Sequence, residues 1–127
     1  MNKYRRDGVG LHSFIDKIDS QQYTYTQFEA DFCHYVFPCF DQPDLKATWS
    51  FSAITDGDWQ VISNEAQVDD ENRLKLLESE TSEAADLFKD TSDFKVENAN
   101  KFVFQQSFKI STYLYAIVAG PFDYHER

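Results

Sequence analysis

The sequence predicts one small domain that is mostly β-strand, with the strands arranged as an antiparallel sheet. Three observations support this. Twelve Phe and seven Tyr stand against four Gly and one Met, and aromatic residues are enriched in strands. The hydrophobic share of 42% is too high for a disordered chain. Several segments also alternate in side-chain character, as half-buried strands do. A length of 127 residues suits a single domain.

The first predicted strand covers residues 22–30. Alternation places Tyr23, Tyr25, Gln27 and Glu29 on one face and Thr24, Thr26, Phe28 and Ala30 on the other. Pro38 and Pro43 then deny residues 37–44 a regular strand or helix. We expect this segment to be a rigid turn anchored by aromatic side chains, followed by a short helical turn that Asp44 caps.

Two further strands are predicted at residues 47–54 and 59–63. In the first of them, one side carries Ala47, Trp49, Phe51 and Ala53. The residues between the two strands, Thr55-Asp56-Gly57-Asp58, are typical of a hairpin turn. We therefore expect residues 22–63 to form an antiparallel meander.

Residues 64–93 are interpreted as an acidic insertion. They hold ten Asp or Glu and three Lys or Arg, a net charge of −7 out of −10 for the whole chain. Four apolar residues fit the stripe of one short amphipathic helix, namely Leu74, Leu77, Ala84 and Phe88. A solvated surface segment is the preferred interpretation, and an acidic contact surface for a partner is the alternative.

The last part of the chain returns to strand-like patterns. Residues 102–108 alternate, with Phe102, Phe104, Gln106 and Phe108 on one side. Residues 111–119 are almost continuously apolar and favour β-structure, which predicts a buried central strand.

Charge and composition exclude several classes of partner. A net charge of −10 excludes extensive contact with nucleic acid phosphates or an anionic membrane surface. No apolar stretch approaches the roughly 20 residues that span a bilayer, and residues 1–8 lack the apolar region of a signal peptide. Two cysteines, Cys33 and Cys39, are too few for a disulfide framework, so a reduced, cytoplasmic chain is expected.

Four motifs, in the same order, resemble the M1 family of zinc aminopeptidases, the aminopeptidase N type. One motif is made of two successive segments: residues 25–30 read Tyr-Thr-Gln-Phe-Glu-Ala, and residues 36–48 contain Phe-Pro-Cys-Phe-Asp-Gln-Pro-Asp-Leu-Lys-Ala. Residues 10–16 resemble the family's upstream segment, residues 61–64 its strand before a variable loop, and residues 110–122 the strand that closes the domain. The resemblance covers residues 8 to 124 apart from the acidic insertion.

The resemblance implies a saddle-like, mostly antiparallel β-domain that packs on a thermolysin-like catalytic domain holding the zinc. The chain as a whole, residues 1–127, would be the later part of this N-terminal domain. It lacks the family's His-Glu-x-x-His zinc motif and its Gly-Ala-Met-Glu-Asn strand. We therefore expect no cofactor and no activity in this chain alone, although the intact family enzyme uses zinc to remove N-terminal residues from peptides.

Carried over from the family, Gln27 would line the pocket for the first side chain of the substrate. Glu29 would accept hydrogen bonds from the free α-ammonium of the peptide. The two residues project from the same face if the strand continues through residue 29. The simpler interpretation is that they form the polar face of an ordinary half-exposed strand.

Other candidate sites are weaker. Cys33, His34 and Cys39 lack the paired spacing and the fourth ligand of a zinc site, and adjacent Cys33 and His34 should point to opposite faces. Asp41 and Asp44 are interpreted as turn formers. Two functions stay open: a non-catalytic fragment of an aminopeptidase, or a separate binding or structural subunit derived from the same domain. Either one needs a partner, such as the catalytic domain, to cover exposed sheet.

Overall fold

The computed structural model describes residues 8–55, 57–68 and 100–123. Six strands and two short 3₁₀ helices lie in this part of the chain. In chain order they are β1 (Gly10–Ile15), β2 (Gln22–Gln27), a first 3₁₀ helix (Cys33–Tyr35), β3 (Ser52–Thr55), β4 (Gln60–Ser63), β5 (Asn100–Val103), a second 3₁₀ helix (Thr112–Leu114) and β6 (Ile117–Gly120). The predicted mostly β, antiparallel fold class is confirmed. The helix predicted in the acidic insertion lies outside the described residues.

The strands form two antiparallel sheets. The larger has the order β1-β2-β6-β4, and the smaller pairs β3 with β5. One apolar cluster joins Val61 of β4 and Ala119 of β6 to Phe102 of β5. The two sheets therefore share a core, and the larger sheet turns one face towards it.

The predicted meander is wrong at the connection between β3 and β4. The two strands belong to different sheets, with β3 paired to β5 and β4 paired to β6. Ala53 and Trp59, which flank the connection, both pack against the shared core. The chain crosses between the sheets because strands on either side of a core bury their apolar faces against each other.

Two of the predicted strands, at residues 47–54 and 102–108, are shorter than their patterns suggested. The strand at residues 47–54 is regular only from Ser52, although Trp49 and Phe51 still accept backbone hydrogen bonds from Ser107 and Phe104. The strand at residues 102–108 ends at Val103, and Phe108 is largely exposed. The pairing of these two segments becomes irregular where side chains, such as the Ser107 hydroxyl, take over backbone partners.

The central strand predicted at residues 111–119 begins only at Ile117. As expected, β6 lies inside the sheet, between β2 and β4. The residues before it form the second 3₁₀ helix, and the side chain of Asn64 bonds to Leu114 O at 2.9 Å and to Ala116 N at 2.8 Å. These contacts occupy backbone groups that a strand partner would otherwise take.

The helical turn predicted after Asp44 is absent. Leu45 N–H donates to Gln42 O, and Lys46 N–H donates to Asp44 O, at 2.9 and 3.1 Å. Asp44 is thus part of a tight turn and does not cap a helix. The described residues contain no helix that is long and apolar enough to cross a bilayer.

Candidate substrate-contact site

The candidate site lies where β2 ends. Its cross-strand partners place Gln27 opposite Gly10 and Tyr25 opposite His12, on the face of the larger sheet that points away from the core. Thr26, on the other face, accepts a 2.9 Å hydrogen bond from Ile117 N–H and so fixes the end of β2 to β6. The end of β2 is therefore held by β1 on one side and by β6 on the other.

Glu29 lies two residues beyond the end of β2, which corrects the prediction of one strand through residue 30. The chain turns here because Phe32 N–H donates to Phe28 O at 3.0 Å. The predicted alternation of exposure nevertheless continues to residue 29. Tyr25, Gln27 and Glu29 are exposed, whereas Phe28 is 1% exposed.

Phe28 is the anchor of the site. It lies in a second apolar cluster with Cys33 and Tyr115, and its ring meets that of Phe37 edge-on at 6.0 Å. Because the Phe28 side chain is buried in this cluster, the neighbouring Gln27 and Glu29 side chains point to the surface. Among the described residues, neither side chain has a hydrogen-bond or ion-pair partner. Both are free to meet a ligand.

A polar network fixes the segment that follows. Asp41 Oδ2 accepts hydrogen bonds from His34 N–H at 2.9 Å and faces His34 Nδ1 at 3.0 Å. Asp41 Oδ1 accepts a 2.6 Å hydrogen bond from the Thr112 hydroxyl. The first 3₁₀ helix, the proline-containing turn and the second 3₁₀ helix are therefore joined through one carboxylate.

The pKa of Asp41 is lowered from 3.8 in this network. Burial of the carboxylate acts in the opposite direction, but hydrogen bonds from Thr112 and from the backbone and ring of His34 outweigh it. Sequence reasoning took Asp41 for a turn former and missed its links to His34 and Thr112. The separation of 71 residues between Asp41 and Thr112 leaves no local signal that could have predicted the contact.

The face that carries Gln27 is strongly apolar. Phe14, Tyr25 and Ile62 on it are 40 to 54% exposed. The Tyr25 ring stacks on His12 at 4.9 Å, and Phe14 stacks on Tyr23 at 5.6 Å. Apolar side chains exposed next to one another are typical of interaction surfaces.

The described residues do not fit a zinc site. They include no group of three or more His, Cys, Asp or Glu side chains able to hold a metal ion. Cys33 lies in the core, whereas His34 is exposed and bonded to Asp41, so Cys33 and His34 do not converge on one site.

Taken together, these features define a β-domain that presents polar side chains beside an apolar sheet face. Residues 3–114 match the family model of the Peptidase M1 N-terminal domain. The chain therefore belongs to the M1 peptidase family, as an N-terminal domain.

Its relatives come from several organisms, and most of those described are named as aminopeptidases. Aminopeptidase N of Streptomyces lividans is 36% identical over 119 residues, which cover 94% of this chain and 11% of that protein. A probable M1 family aminopeptidase 2 of Encephalitozoon cuniculi is 34% identical over 101 residues, 80% of this chain and 9% of that protein. The Tricorn protease-interacting factor F2 of Thermoplasma volcanium is 32% identical over 99 residues, 78% of this chain and 10% of that protein. The chain thus spans about a tenth of the length of these relatives.

Proposed function

We propose that this chain supplies the substrate N-terminus contact of a zinc aminopeptidase, with Glu29 and Gln27 as the contacting residues. The Glu29 carboxylate accepts hydrogen bonds from the free α-ammonium of a peptide, and Gln27 lines the pocket of the first side chain. One observation carries this proposal. Gln27 and Glu29 are both exposed and unpartnered within the described residues, on either side of the fully buried Phe28.

The chemistry of the contact suits an exopeptidase. A carboxylate that receives an ammonium makes a charge-assisted hydrogen bond worth about 1.5–3 kcal/mol. An internal peptide bond has no ammonium to offer, so the contact selects a chain end. Phe28 fixes the backbone that carries Glu29, so only the Glu29 side chain has to be ordered when the substrate binds.

A partner domain completes this function. The apolar outer face with Phe14, Tyr25 and Ile62 supports docking of a catalytic domain beside Gln27. In that domain zinc would supply the activated water that cleaves the peptide bond. The residues of this chain would bind and orient the substrate, and take no part in the cleavage itself.

The substrate contact is tested in the natural polypeptide that carries this sequence, with Glu29→Gln and Gln27→Ala. We expect Glu29→Gln to raise KM for a peptide with a free N-terminus by about 10- to 100-fold, the equivalent of one charge-assisted hydrogen bond. Discrimination against the N-acetylated peptide should fall by a similar factor. Gln27→Ala should change the preference for the first side chain.

Matched controls are Glu65→Gln and Gln105→Ala. Glu65 follows β4, at the edge of the larger sheet opposite β1, and Gln105 is an exposed residue that follows β5 of the smaller sheet. They repeat the chemical changes away from the site and should leave KM unchanged. If Glu29→Gln and Glu65→Gln have equal KM values, Glu29 is an exposed polar residue that does not contact the substrate.

The size of the natural polypeptide tests whether this sequence is part of a larger aminopeptidase. An immunoblot with an antibody to this chain should detect a species several times heavier than 14.8 kDa. A species of 14.8 kDa that copurifies with a fixed complex would instead support the separate binding subunit.

A further inference from the structure

The segment that carries the candidate substrate contact, residues 27–31, is fixed at both ends by hydrogen bonds. At its start, Thr26 Oγ1 accepts a bond of 2.9 Å from Ile117 N–H, which ties the segment to β6. At its end, Phe32 N–H donates to Phe28 O at 3.0 Å. The candidate contact is therefore presented by a short turn with two fixed ends.

The first 3₁₀ helix continues from this turn and is held from outside by a carboxylate. Tyr35 N–H donates to Phe32 O at 3.3 Å, so the helix and the turn belong to one hydrogen-bonded path. His34 N–H, in the middle of the helix, donates to Asp41 Oδ2 at 2.9 Å. The Asp41 side chain is 6% exposed, so little water reaches its carboxylate.

Asp41 returns this path to its starting point. Its second oxygen, Oδ1, accepts a 2.6 Å bond from the hydroxyl of Thr112, the first residue of the second 3₁₀ helix. That helix leads into β6, which begins at Ile117 and holds Thr26. The bonds therefore form a closed ring that includes residues 27–31, and the Asp41 carboxylate joins the two 3₁₀ helices of this ring.

The Asp41 side chain suits this place in the ring because it is charged. Although burial opposes ionisation, the hydrogen bonds from Thr112 and His34 lower the pKa of Asp41 from 3.8, so the acceptor is ionised at neutral pH. Hydrogen bonds to an ionised acceptor are roughly twice as strong as those between neutral groups. Loss of this charge should therefore loosen both connections at once.

We propose that Asp41 is a positioning residue for substrate binding, because it closes the ring that fixes the backbone of Glu29. The inference rests on the proposed contact between the Glu29 carboxylate and the α-ammonium of a peptide. That bond depends on distance and angle, so a turn that moves more freely weakens it. Asp41 acts through the backbone of the first 3₁₀ helix and does not touch the substrate.

The first test compares the kinetics of the natural polypeptide that carries this sequence with those of its Asp41→Asn variant. We expect KM for a peptide with a free N-terminus to rise by about three- to tenfold, because the Glu29 carboxylate is kept but less well placed. The value of kcat should stay within about twofold, since a loss of binding without a change in the reaction appears in KM. A fall in kcat with unchanged KM would overturn the proposal.

A double mutant shows whether Asp41 acts through Glu29. The variant with both Glu29→Gln and Asp41→Asn should have the KM of Glu29→Gln alone, because positioning has no effect on a contact that is already lost. Effects that multiply would overturn the proposal. If Glu29→Gln raises KM and Asp41→Asn does not, the positioning role alone is overturned. If Glu29→Gln itself leaves KM unchanged, the proposed function fails and the positioning role falls with it.

Three further variants separate positioning from a general loss of stability. Thr112→Ser keeps the hydroxyl donor and should have the KM of the wild type, whereas Thr112→Val should raise KM as Asp41→Asn does. Phe102→Leu destabilises the apolar cluster that does not contain Phe28 and should leave KM unchanged. A rise in KM for Phe102→Leu equal to that for Asp41→Asn, or for Thr112→Ser equal to that for Thr112→Val, would rule out the positioning role.

Discussion

Asp41 accepts a 2.6 Å hydrogen bond from the hydroxyl of Thr112, 71 residues further along the chain. The Asp41 side chain is 6% exposed, and Thr112 is buried as well. The contact therefore joins the proline-containing turn to the second 3₁₀ helix in a place that water scarcely reaches. It makes one carboxylate a structural link between two distant segments.

We expect Asp41→Asn to lower the free energy of unfolding by about 1–3 kcal/mol, because the buried Thr112 hydroxyl and the exposed His34 lose a charged acceptor. Urea denaturation of the full chain measures this loss. Thr112→Val should show a smaller loss, since it removes one donor and keeps the bonds to His34. Asp58→Asn, at an exposed turn, is the control and should change stability by less than about 0.5 kcal/mol.

The same carboxylate makes stability depend on pH. The folded-state pKa of Asp41 is lowered from 3.8, so the folded state favours the ionised form. This stabilisation is fully present above the unfolded-state pKa, near pH 4, and is lost as the pH falls through the folded-state value. The difference in unfolding free energy between wild type and Asp41→Asn should thus shrink below about pH 4. A difference that grows on acidification would contradict the assignment.

Phe28 and Phe40 offer a matched pair for testing the anchor of the site. Phe28 is 1% exposed and Phe40 is 85% exposed. Phe28→Ala should lower the free energy of unfolding by about 3–5 kcal/mol, because it leaves a cavity in the core. Phe40→Ala should cost less than about 0.5 kcal/mol. Phe28→Leu, with a loss of about 1–2 kcal/mol, keeps the comparison measurable if the alanine variant does not fold.

A glycine is required at position 120 because the ring of Tyr23 lies against its Cα. A Cβ on Gly120 would lie 2.5 Å from Tyr23 Cδ1 and 3.3 Å from Phe122 Cε2. Gly120→Ala should therefore destabilise the chain by about 1–3 kcal/mol through overpacking. In a Tyr23→Leu background the same substitution should cost clearly less, which a double-mutant cycle measures. An equal cost in both backgrounds would mean that the Tyr23 ring is not the obstacle.

The 127-residue chain should not hydrolyse an aminoacyl reporter, with or without added zinc. The described residues bring no three metal ligands together, and the sequence lacks the His-Glu-x-x-His motif. A fluorogenic aminoacyl amide gives the measurement. Turnover by the pure chain that zinc restores and a chelator abolishes would contradict this prediction.

Local patterns predicted part of the candidate site correctly. The alternation of residues 22–28 put Thr24 and Thr26 on one face and Tyr25 and Gln27 on the other, and the structure confirms this separation and turns the first face to the core. A strand's pleat alone sets this alternation, so sequence is sufficient. The roles of Gln27 and Glu29 in substrate binding stay a prediction, because they depend on what faces them.

The sequence by itself determined the β-rich class, the M1 family and the side-chain alternation of β2, since each depends on residue types and on spacings of a few residues. Only the tertiary structure decided that β4 pairs with β6 and not with β3. It also decided that β2 ends at Gln27, that Thr112 bonds to Asp41 and that Cys39 packs against the cluster of Phe28 and Cys33. These contacts follow from how two sheets close over one core. Periodicity specifies which face of a strand is apolar, but not which distant segment will cover that face.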